Sequence, residues 1–526
     1  MSNPSLKRAL GLYATTALVI GSVVGTGIFS SPSEMARDLP SAPYLLGVWV
    51  LTGVLTLFGA FTMCELVGQM PKTGGLYEYF REVYGEGIGF LYGWANFMIA
   101  GSGAIAAISF FFAMYFENFL PLPHFAHALA AMGVSESTPW NIPFLGAIFP
   151  YQFLGRKLVA SGLVIFLTAL NIRGVKLGGT LQSISTTTKI LAILAIVLVA
   201  FIAGSHVGSV SNWVGAAEGA HHAVNYALPL LKKEGGGGWS GWTTIGAIAM
   251  AMSGAFWSYD GWGNVAYIAG EVREPTKTIP RAIITGTIIF IALYIVVNLA
   301  YFYILGVEGV ANAPGDRVAS QMIYAVVGAG GAGIIAALLM LSAFDTTNST
   351  VLTNARVYYA MARNGLFNRG SAKVHEKFQT PYIALMLQGA WSIVLLMTGS
   401  FDLITSMYVF VNWVLYVLMA IAVFILRRRR SGVTGSADSG SFRGGKQRFP
   451  PHESERPFSV PGYPWVPAIF VLFATAFLII TLVTDIQSYQ AGTQPLIKSA
   501  TGIALVLTGL PFYFYWRWKR RVVDSG

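Results

Sequence analysis

The sequence predicts an all-α integral membrane protein with twelve transmembrane helices. Of its 526 residues, 54% are hydrophobic and only 11% are charged, whereas soluble domains have roughly 25% charged residues. The apolar residues occur in blocks of about 20, the length of a helix that crosses a hydrocarbon layer about 30 Å thick. These blocks are too long for barrel strands, and a helix pairs all its backbone polar groups within lipid, so helices are predicted.

The twelve predicted spans are taken in chain order. The run after Lys7 and Arg8 resembles a signal peptide, but it has no convincing cleavage site and is therefore predicted to be the first span. The boundaries are approximately 10–32, 44–69, 87–119, 152–171, 181–204, 241–269, 282–305, 331–355, 381–399, 402–426, 463–484 and 499–516.

Positive charge is concentrated on one side of this arrangement. Most of the 34 Lys and Arg residues fall in the loops and the tail that share a side with the chain start. The positive-inside rule therefore places both termini in the cytoplasm. The net charge of +11 reflects this topology better than nucleic-acid binding, and the Arg427 to Arg430 run is predicted to be a topology anchor.

Metal, cofactor and disulfide chemistry have little support in the sequence. Cys64 is the single cysteine and lies inside an apolar block, which excludes an intrachain disulfide, a thiolate cluster and a disulfide-linked partner subunit. The histidines lack metal-ligand spacing, and no ATP-binding or other phosphate-binding motif is present. No metal, cofactor or enzymatic activity is predicted.

The first span contains an unusual concentration of small residues. Three glycines and three hydroxyl residues lie between Gly21 and Ser30, and each glycine costs a helix about 1 kcal/mol relative to Ala. One interpretation is a helix-packing face, because Gly21 and Gly25 form a GxxxG pair. The other is a helix that is interrupted within the membrane.

The sixth span repeats this anomaly around Asp260. A charge within an apolar segment is expensive unless it is paired or faces water, so Asp260 is either a structural hydrogen-bonding residue or part of a site. Its neighbours Gly261, Gly263 and Asn264 favour local unwinding of the helix.

The two interrupted segments lie five spans apart and therefore run in opposite directions. Glycine-interrupted helices at matched positions indicate inverted repeats that enclose a midplane site. The corresponding division of the chain is a first repeat at about 1–204, an external loop at 205–240, a second repeat at 241–427, a flexible cytoplasmic linker at 428–462, and two spans with a basic tail at 463–526.

Such a site suits a zwitterion. Free N–H groups at a half-helix N-terminus bind a carboxylate, and the candidates are Val23, Gly25, Thr26 and Gly27. Carbonyl groups released by the other interrupted helix accept from an ammonium group, and the candidates are Phe256, Trp257 and Tyr259. The Trp257 ring is either a lid over the substrate or part of the helix packing. Asp260 could accept a basic or amine substrate. Asn412 either contacts the substrate or pairs with a neighbouring helix.

Two further polar features lie in spans five and eight. Lys189 is a candidate proton carrier, a candidate fixed cation in place of a metal ion, or a lysine that extends to the inner interface. Thr346 and Thr350 share a helical face within a polar cluster that begins at Asp345. The cluster could line the pathway, meet Lys189, or form interhelical hydrogen bonds.

The sequence resembles the amino acid–polyamine–organocation superfamily, most closely its L-type amino-acid transporter branch, over nearly the whole chain. The matching motifs are Gly25-Thr26-Gly27-Ile28-Phe29 with Ser31-Pro32, Pro71-Lys72-Thr73-Gly74-Gly75 with Tyr77 and Tyr79, Tyr259-Asp260-Gly261-Trp262, Glu271 with Pro275, Ile279-Pro280-Arg281-Ala282, Asn348, Ala355-Arg356, Phe367, Asn412-Trp413 and Arg456-Pro457.

The resemblance implies a five-plus-five inverted-repeat bundle with two additional helices. It also implies that the first-span glycine motif binds the substrate carboxylate, that the sixth-span backbone binds the amine, that Trp257 gates the site, and that Lys189 is the family's fifth-span lysine. Thr26 stands where many members have Ser, and Asp260 and Gly263 stand where some have Gly and Asn, so side-chain specificity does not follow. Animal members join a glycoprotein subunit through an external cysteine, which this chain lacks.

The expected function is alternating-access transport of L-amino acids, small or neutral ones first, across the inner membrane. Exchange is the first expectation and proton-coupled uptake the second. The alternatives are a transporter of basic amino acids, amines or polyamines, a non-transporting amino acid sensor, and an ion channel. A sensor needs an output domain, and a channel needs a continuous polar stripe. Neither feature is evident in the sequence.

Overall fold

The computed structural model describes residues 8–123, 125–142, 146–214, 241–398, 401–434, 458–492, 494 and 496–524. Within these residues the chain is almost entirely helical. A two-stranded antiparallel hairpin, β1 (Trp140–Ile142) and β2 (Gly146–Ile148), lies between the predicted third and fourth spans. A single bridge joins Leu10 to Val272.

The first half of the described chain forms nine α-helices. They are α1 (Leu12–Val23), α2 (Gly27–Asp38), α3 (Ala42–Gln69), α4 (Leu76–Tyr84), α5 (Glu86–Ala95), α6 (Gly101–Phe116), α7 (Ala126–Ala131), α8 (Leu154–Ile172) and α9 (Val175–Ile202). A π-helical turn at Asn96–Ala100 joins α5 to α6, so the predicted third span is one continuous helical segment.

The second half also forms nine α-helices. They are α10 (Gly241–Tyr259), α11 (Pro275–Ala311), α12 (Val318–Val327), α13 (Ala329–Arg363), α14 (Tyr382–Thr398), α15 (Phe401–Thr434), α16 (Trp465–Gln490), α17 (Lys498–Leu507) and α18 (Gly509–Asp524). The 3₁₀ turns are Ala203–His206, Val210–Trp213, Asn264–Glu271, Pro314–Asp316 and Arg369–Ala372.

The helices confirm a multi-pass membrane protein. Nine helical segments within the described ranges are long and apolar enough to cross a membrane, and Val318–Val327 and Tyr382–Met397 are shorter apolar helices. The predicted twelfth span is divided into α17 and α18 by a turn at Thr508. The total of twelve spans therefore stays a prediction.

The predicted cytoplasmic linker (428–462) and the predicted external loop (205–240) lie only partly within the described residues. α15 continues through the arginine run to Thr434, and Arg427 within it pairs with Glu65 of α3 (2.6 Å). The first residues of the predicted linker are therefore helical, and 435–457 lie outside the described residues. In the predicted external loop, 205–214 form turns and 215–240 lie outside the described residues.

The interrupted segments occupy the centre of the helix packing. α1 packs against α9, α11 and α13, whereas α10 packs against α2 and α3. A buried ion pair lies beside them: Arg356 of α13 donates to both carboxylate oxygens of Glu271, at 2.7 and 3.1 Å. The backbone of Glu271 accepts from the N–H groups of Ala9 and Leu10, which ties the chain start to the segment after α10.

Candidate functional site

The first interruption separates α1 from α2. α1 ends at Val23 and α2 begins at Gly27, with Val24, Gly25 and Thr26 between them. The last carbonyl groups of one helix and the first N–H groups of the next have no partner within their own helices. The interruption predicted at the glycines is therefore present, and it places a helix C-terminus beside a helix N-terminus.

The second interruption follows α10. The helix ends at Tyr259, and residues 260–263 form a turn before the 3₁₀ helix that begins at Asn264. Gly261 has a φ of +105°, which residues with a side chain rarely adopt. The predicted unwinding around Asp260 is therefore present, and this glycine makes the turn possible.

The two interruptions are in direct contact. A Cβ atom on Gly27 would lie only 2.5 Å from the Cα of Ser258, so the absence of a side chain allows the backbones to meet. The Tyr294 hydroxyl of α11 donates toward two carbonyl oxygens, those of Val23 (2.9 Å) and Ser258 (3.0 Å). One hydroxyl thus links both interrupted segments.

A cavity lies between these segments and α5, α6, α13 and α15. Its empty space is about 660 Å³, and this volume includes the part open to solvent. The predicted site residues that line it are Val23, Gly25, Thr26, Gly27, Trp257, Asp260, Thr346, Thr350 and Asn412. Other lining residues, which were not predicted, include Tyr92, Asn96, Asn264, Tyr267, Asn354 and Tyr408.

Two predicted residues, Phe256 and Tyr259, do not line the cavity. The Phe256 ring packs against Trp413 and Phe477, with ring centroids 3.8 and 4.8 Å away. The Tyr259 hydroxyl donates to the carbonyl oxygen of Trp49 (3.1 Å). Their side chains belong to the packing around the site, and binding by their backbone oxygens stays a prediction.

Asp260 is held by three donors from one face of α15. Its Oδ1 accepts from the Tyr416 hydroxyl (2.5 Å), and its Oδ2 accepts from the Asn412 amide (2.7 Å) and from the Tyr408 hydroxyl. An ionised carboxylate offers about four acceptor positions. Protein donors therefore occupy most of them, and the carboxylate joins the sixth span to α15.

Trp257 lies at the wall of the cavity. Its ring meets that of Tyr408 edge-on, with centroids 5.3 Å apart and an interplanar angle of 86°. Edge-to-face contact is a favourable arrangement of aromatic rings. The placement fits the predicted lid, and gating by Trp257 stays a prediction.

Lys189 lies outside the cavity wall, behind the first interruption. Its Nζ is 2.6 Å from Oδ2 of Asp345, and the two side chains are 1% and 0% exposed. The same Nζ donates to the carbonyl oxygens of Val24 (2.5 Å) and Gly21 (3.4 Å). Extension to the inner interface is therefore wrong: the ammonium group binds the carbonyl end of α1.

The polar cluster of α13 serves both the cavity and the Lys189 region. Thr346 and Thr350 line the cavity, and their hydroxyls donate to carbonyl oxygens of their own helix at 3.0 and 2.8 Å. Asp345, one residue earlier, points to Lys189. One helix thus presents hydroxyls to the cavity and a carboxylate to α9.

The residues that the prediction missed had signals of their own. Tyr408, Asn412 and Tyr416 are spaced by four, which puts them on one helical face, and a lone acid in an apolar span requires such donors. Only the amide was selected from that stripe. Asp345 belongs to the polar cluster for which contact with Lys189 is one of the predicted alternatives, and the two side chains do meet, at 2.6 Å.

The described residues contain no group of three or more His, Cys, Asp or Glu side chains that could hold a metal ion. Cys64 is buried, and its Sγ lies 3.7 Å from the carbonyl oxygen of Pro280. The site is built instead from backbone groups, hydroxyls, amides, aromatic rings and one carboxylate.

These features define a multi-pass membrane protein with a cavity between two interrupted helices. Residues 10–507 match the family model described as "Amino acid permease". The chain belongs to this family, within the amino acid–polyamine–organocation superfamily, and is a membrane transporter of amino acids. The family is one of permeases rather than a class of enzymes.

Curated relatives cover nearly the whole chain. The serine/threonine exchanger SteT of Bacillus subtilis is 30% identical over 97% of both chains. The b(0,+)-type amino acid transporter 1 of Mus musculus is 25% identical over 99% of this chain and 91% of its own. The mouse large neutral amino acids transporter small subunit 2 is 26% identical, with 99% and 84% covered.

Proposed function

We propose that this protein exchanges small neutral L-amino acids across the cytoplasmic membrane by alternating access. The observation that carries the proposal is the cavity between the two interruptions, in which Asp260 already accepts from three protein donors. A site of this kind offers backbone groups to the two charged ends of an amino acid. It offers few open acceptor positions to a charged side chain.

The substrate carboxylate binds at the start of α2. The N–H groups of Thr26 and Gly27 are the main donors, and the positive end of the helix dipole favours an anion there. The N–H group of Gly25 is a poorer donor because it already donates to the Val23 carbonyl oxygen (2.7 Å). The substrate ammonium group binds carbonyl oxygens at the end of α10, from among Phe256, Trp257 and Tyr259. The Ser258 carbonyl is a poorer acceptor because Tyr294 already donates to it.

Substrate movement follows from the arrangement of the repeats. We infer that spans one to five and six to ten are inverted repeats that rock around the fixed site, with two additional C-terminal helices. The contact between two interrupted segments that are predicted to lie five spans apart, and therefore to run in opposite directions, supports this arrangement. The distribution of Lys and Arg supports a cytoplasmic location of both termini, and we infer that the protein lies in the inner membrane.

Exchange without a partner subunit is the version that we favour. The relative from Bacillus subtilis is named a serine/threonine exchanger, which supports exchange of small hydroxylated or neutral substrates here. The single cysteine is buried in α3, so it is poorly placed to form a disulfide with another chain.

Radiolabelled serine uptake into proteoliposomes tests the proposal. Vesicles loaded with unlabelled serine, threonine or alanine should take up label at least tenfold faster than empty vesicles. Uptake into empty vesicles that follows an inward proton gradient would instead establish symport. Binding without any flux would leave only a sensor.

Transport of cationic amino acids is the second candidate, because the Asp260 carboxylate borders the cavity. Competition by lysine and arginine separates the two candidates. We expect neither to compete in the wild type. The Tyr416→Phe variant, which removes one donor from Oδ1, should begin to admit lysine, whereas equal competition by lysine and serine in the wild type would favour the second candidate.

A further inference from the structure

Asp345 is fully buried and faces Lys189 across the contact between α13 and α9. Both of its oxygens are used by α9: Oδ1 accepts from the Ser185 hydroxyl (2.6 Å), and Oδ2 accepts from Thr186 (2.9 Å) and contacts Lys189 (2.6 Å). Three side chains within about one helical turn of α9 therefore converge on one carboxylate.

The lysine in turn is directed at the interruption in the first span. The Val24 carbonyl oxygen accepts from Lys189 Nζ at 2.5 Å, and it also lies 3.2 and 3.4 Å from the hydroxyls of Ser342 and Thr346. These two residues flank Asp345 on α13. The same helix thus contacts the end of α1 directly through hydroxyls and indirectly through the ion pair.

The surroundings of Lys189 leave Asp345 as its counter-ion. α1 offers backbone carbonyls, and α12 has no charged residue. The charged residues of α11 lie near its ends, and its Tyr294 hydroxyl is directed at the Val23 and Ser258 carbonyls. On α8, Lys157 donates to carbonyl groups of the loop before it and of Met397, and the adjacent arginine pairs with Glu117.

We propose that Asp345 is a positioning residue for transport: it neutralises Lys189, keeps it protonated, and holds its ammonium group on the Val24 carbonyl, so that exchange is insensitive to pH. This rests on the proposed exchange function and adds a residue and a property to it. An ammonium donor makes a hydrogen bond roughly twice as strong as a neutral one, and positive charge is favoured at the C-terminal end of α1. The substrate carboxylate at the start of α2 would then be bound in the same way at every pH in the working range.

The test compares serine exchange from pH 5.5 to 8.5 in wild type, Asp345→Asn and the double variant Lys189→Gln/Asp345→Asn. Wild-type exchange should change less than twofold. In Asp345→Asn the lysine is buried without a counter-ion and loses its proton more easily, so exchange should fall at least fivefold as pH rises. The double variant has no titrating group at this place and should be slow but flat with pH.

Thermal unfolding in detergent supplies a readout that does not require transport. In Asp345→Asn the unfolded chain keeps its Lys189 proton up to about pH 10, whereas the folded chain gives it up earlier. The unfolded state then binds more protons, so stability relative to wild type should rise with pH. As pH rises, exchange by Asp345→Asn should fall while its melting temperature relative to wild type rises. A purely structural role of Asp345 cannot explain that combination.

The matched control is Thr347→Val, which removes another buried polar group of α13 whose hydroxyl donates to Ala343 within the same helix (2.8 Å). Its pH profiles should match those of wild type. A flat exchange profile in Asp345→Asn, or a pH-dependent one in the double variant, would overturn the inference. If the wild type moves no amino acid, the proposed function fails, and the relative melting temperatures still decide whether Asp345 keeps Lys189 protonated.

Discussion

Gly261 lies directly against Ser22: a Cβ atom on this glycine would be 2.7 Å from the Ser22 carbonyl oxygen. The neighbour is backbone, which cannot rotate away as a side chain can. Together with the φ of +105°, this contact makes glycine the residue that the position accepts without strain. The approach of the two interrupted segments, and hence the cavity, depends on it.

Replacement of Gly261 by Ala should therefore damage both stability and transport. The backbone strain alone costs about 1–3 kcal/mol, and separation of the segments should lower serine exchange at least tenfold. Gly263→Ala is the control, because its φ is −81° and its Cβ would meet only Met63 Cε at 3.6 Å. Exchange assays on protein purified in equal amounts check the pair, and equal activity of the two variants would show that the contact is not needed.

Trp257 and Phe256 are neighbours with opposite orientations. Trp257 lines the cavity, whereas Phe256 packs against Trp413 and Phe477. If the Trp257 ring is the predicted lid, Trp257→Ala should raise the apparent KM for serine at least tenfold, and Trp257→Phe should retain most of the affinity. Phe256→Leu should lower the melting temperature with little change in KM, and the reverse pattern would contradict the assignment of the lid.

The buried pair of Arg356 and Glu271 predicts a large effect on stability. Both side chains are 0% exposed, and removal of one partner leaves the other charged and buried, which costs about 3–5 kcal/mol. Arg356→Met should therefore lower the melting temperature strongly. Arg363→Met is the control on the same helix, because Arg363 is exposed, and it should have little effect.

The double variant Glu271→Met/Arg356→Met sharpens this prediction. Apolar residues of similar volume often replace a buried ion pair without loss of stability. The double variant should thus melt above either single variant. Strictly additive losses would show that each side chain acts through contacts other than the pair, such as the bond from Arg356 to the Leu352 carbonyl (2.5 Å).

The sequence predicted those parts of the site that depend on local backbone chemistry. Gly25, Gly27 and Gly261 lie in or beside the interruptions because glycine is costly in a continuous helix and suited to a break. Spacing along single helices was equally informative, since Thr346 and Thr350 both line the cavity. Local propensity and helical periodicity are properties of a short stretch of chain, so they can be read without the fold.

Contacts between distant helices could not be predicted in this way. Asp260 and Tyr416 lie 156 positions apart, and the rotation of each helix decides which side chains meet. Contact of Lys189 with the cluster that begins at Asp345 was one of several predicted alternatives, and only the packing of α9 against α13 selects it. The role of Phe256 illustrates the same limit, because its aromatic neighbours come from α15 and α16. Phe256 and Trp257 are adjacent in the sixth span, yet only Trp257 lines the cavity.

The burial of Cys64 predicts how the transporter responds to thiol reagents. Its side chain is 0% exposed, with Sγ beside the Pro280 carbonyl of α11 (3.7 Å), so a maleimide should leave the folded protein unlabelled and react after denaturation. Cys64→Ala should keep exchange within twofold of wild type, and Ser211→Cys in that background should label readily because Ser211 is exposed. Rapid labelling of Cys64 in the folded transporter would mean that the contact between α3 and α11 opens during the cycle, in which case added serine should change the labelling rate.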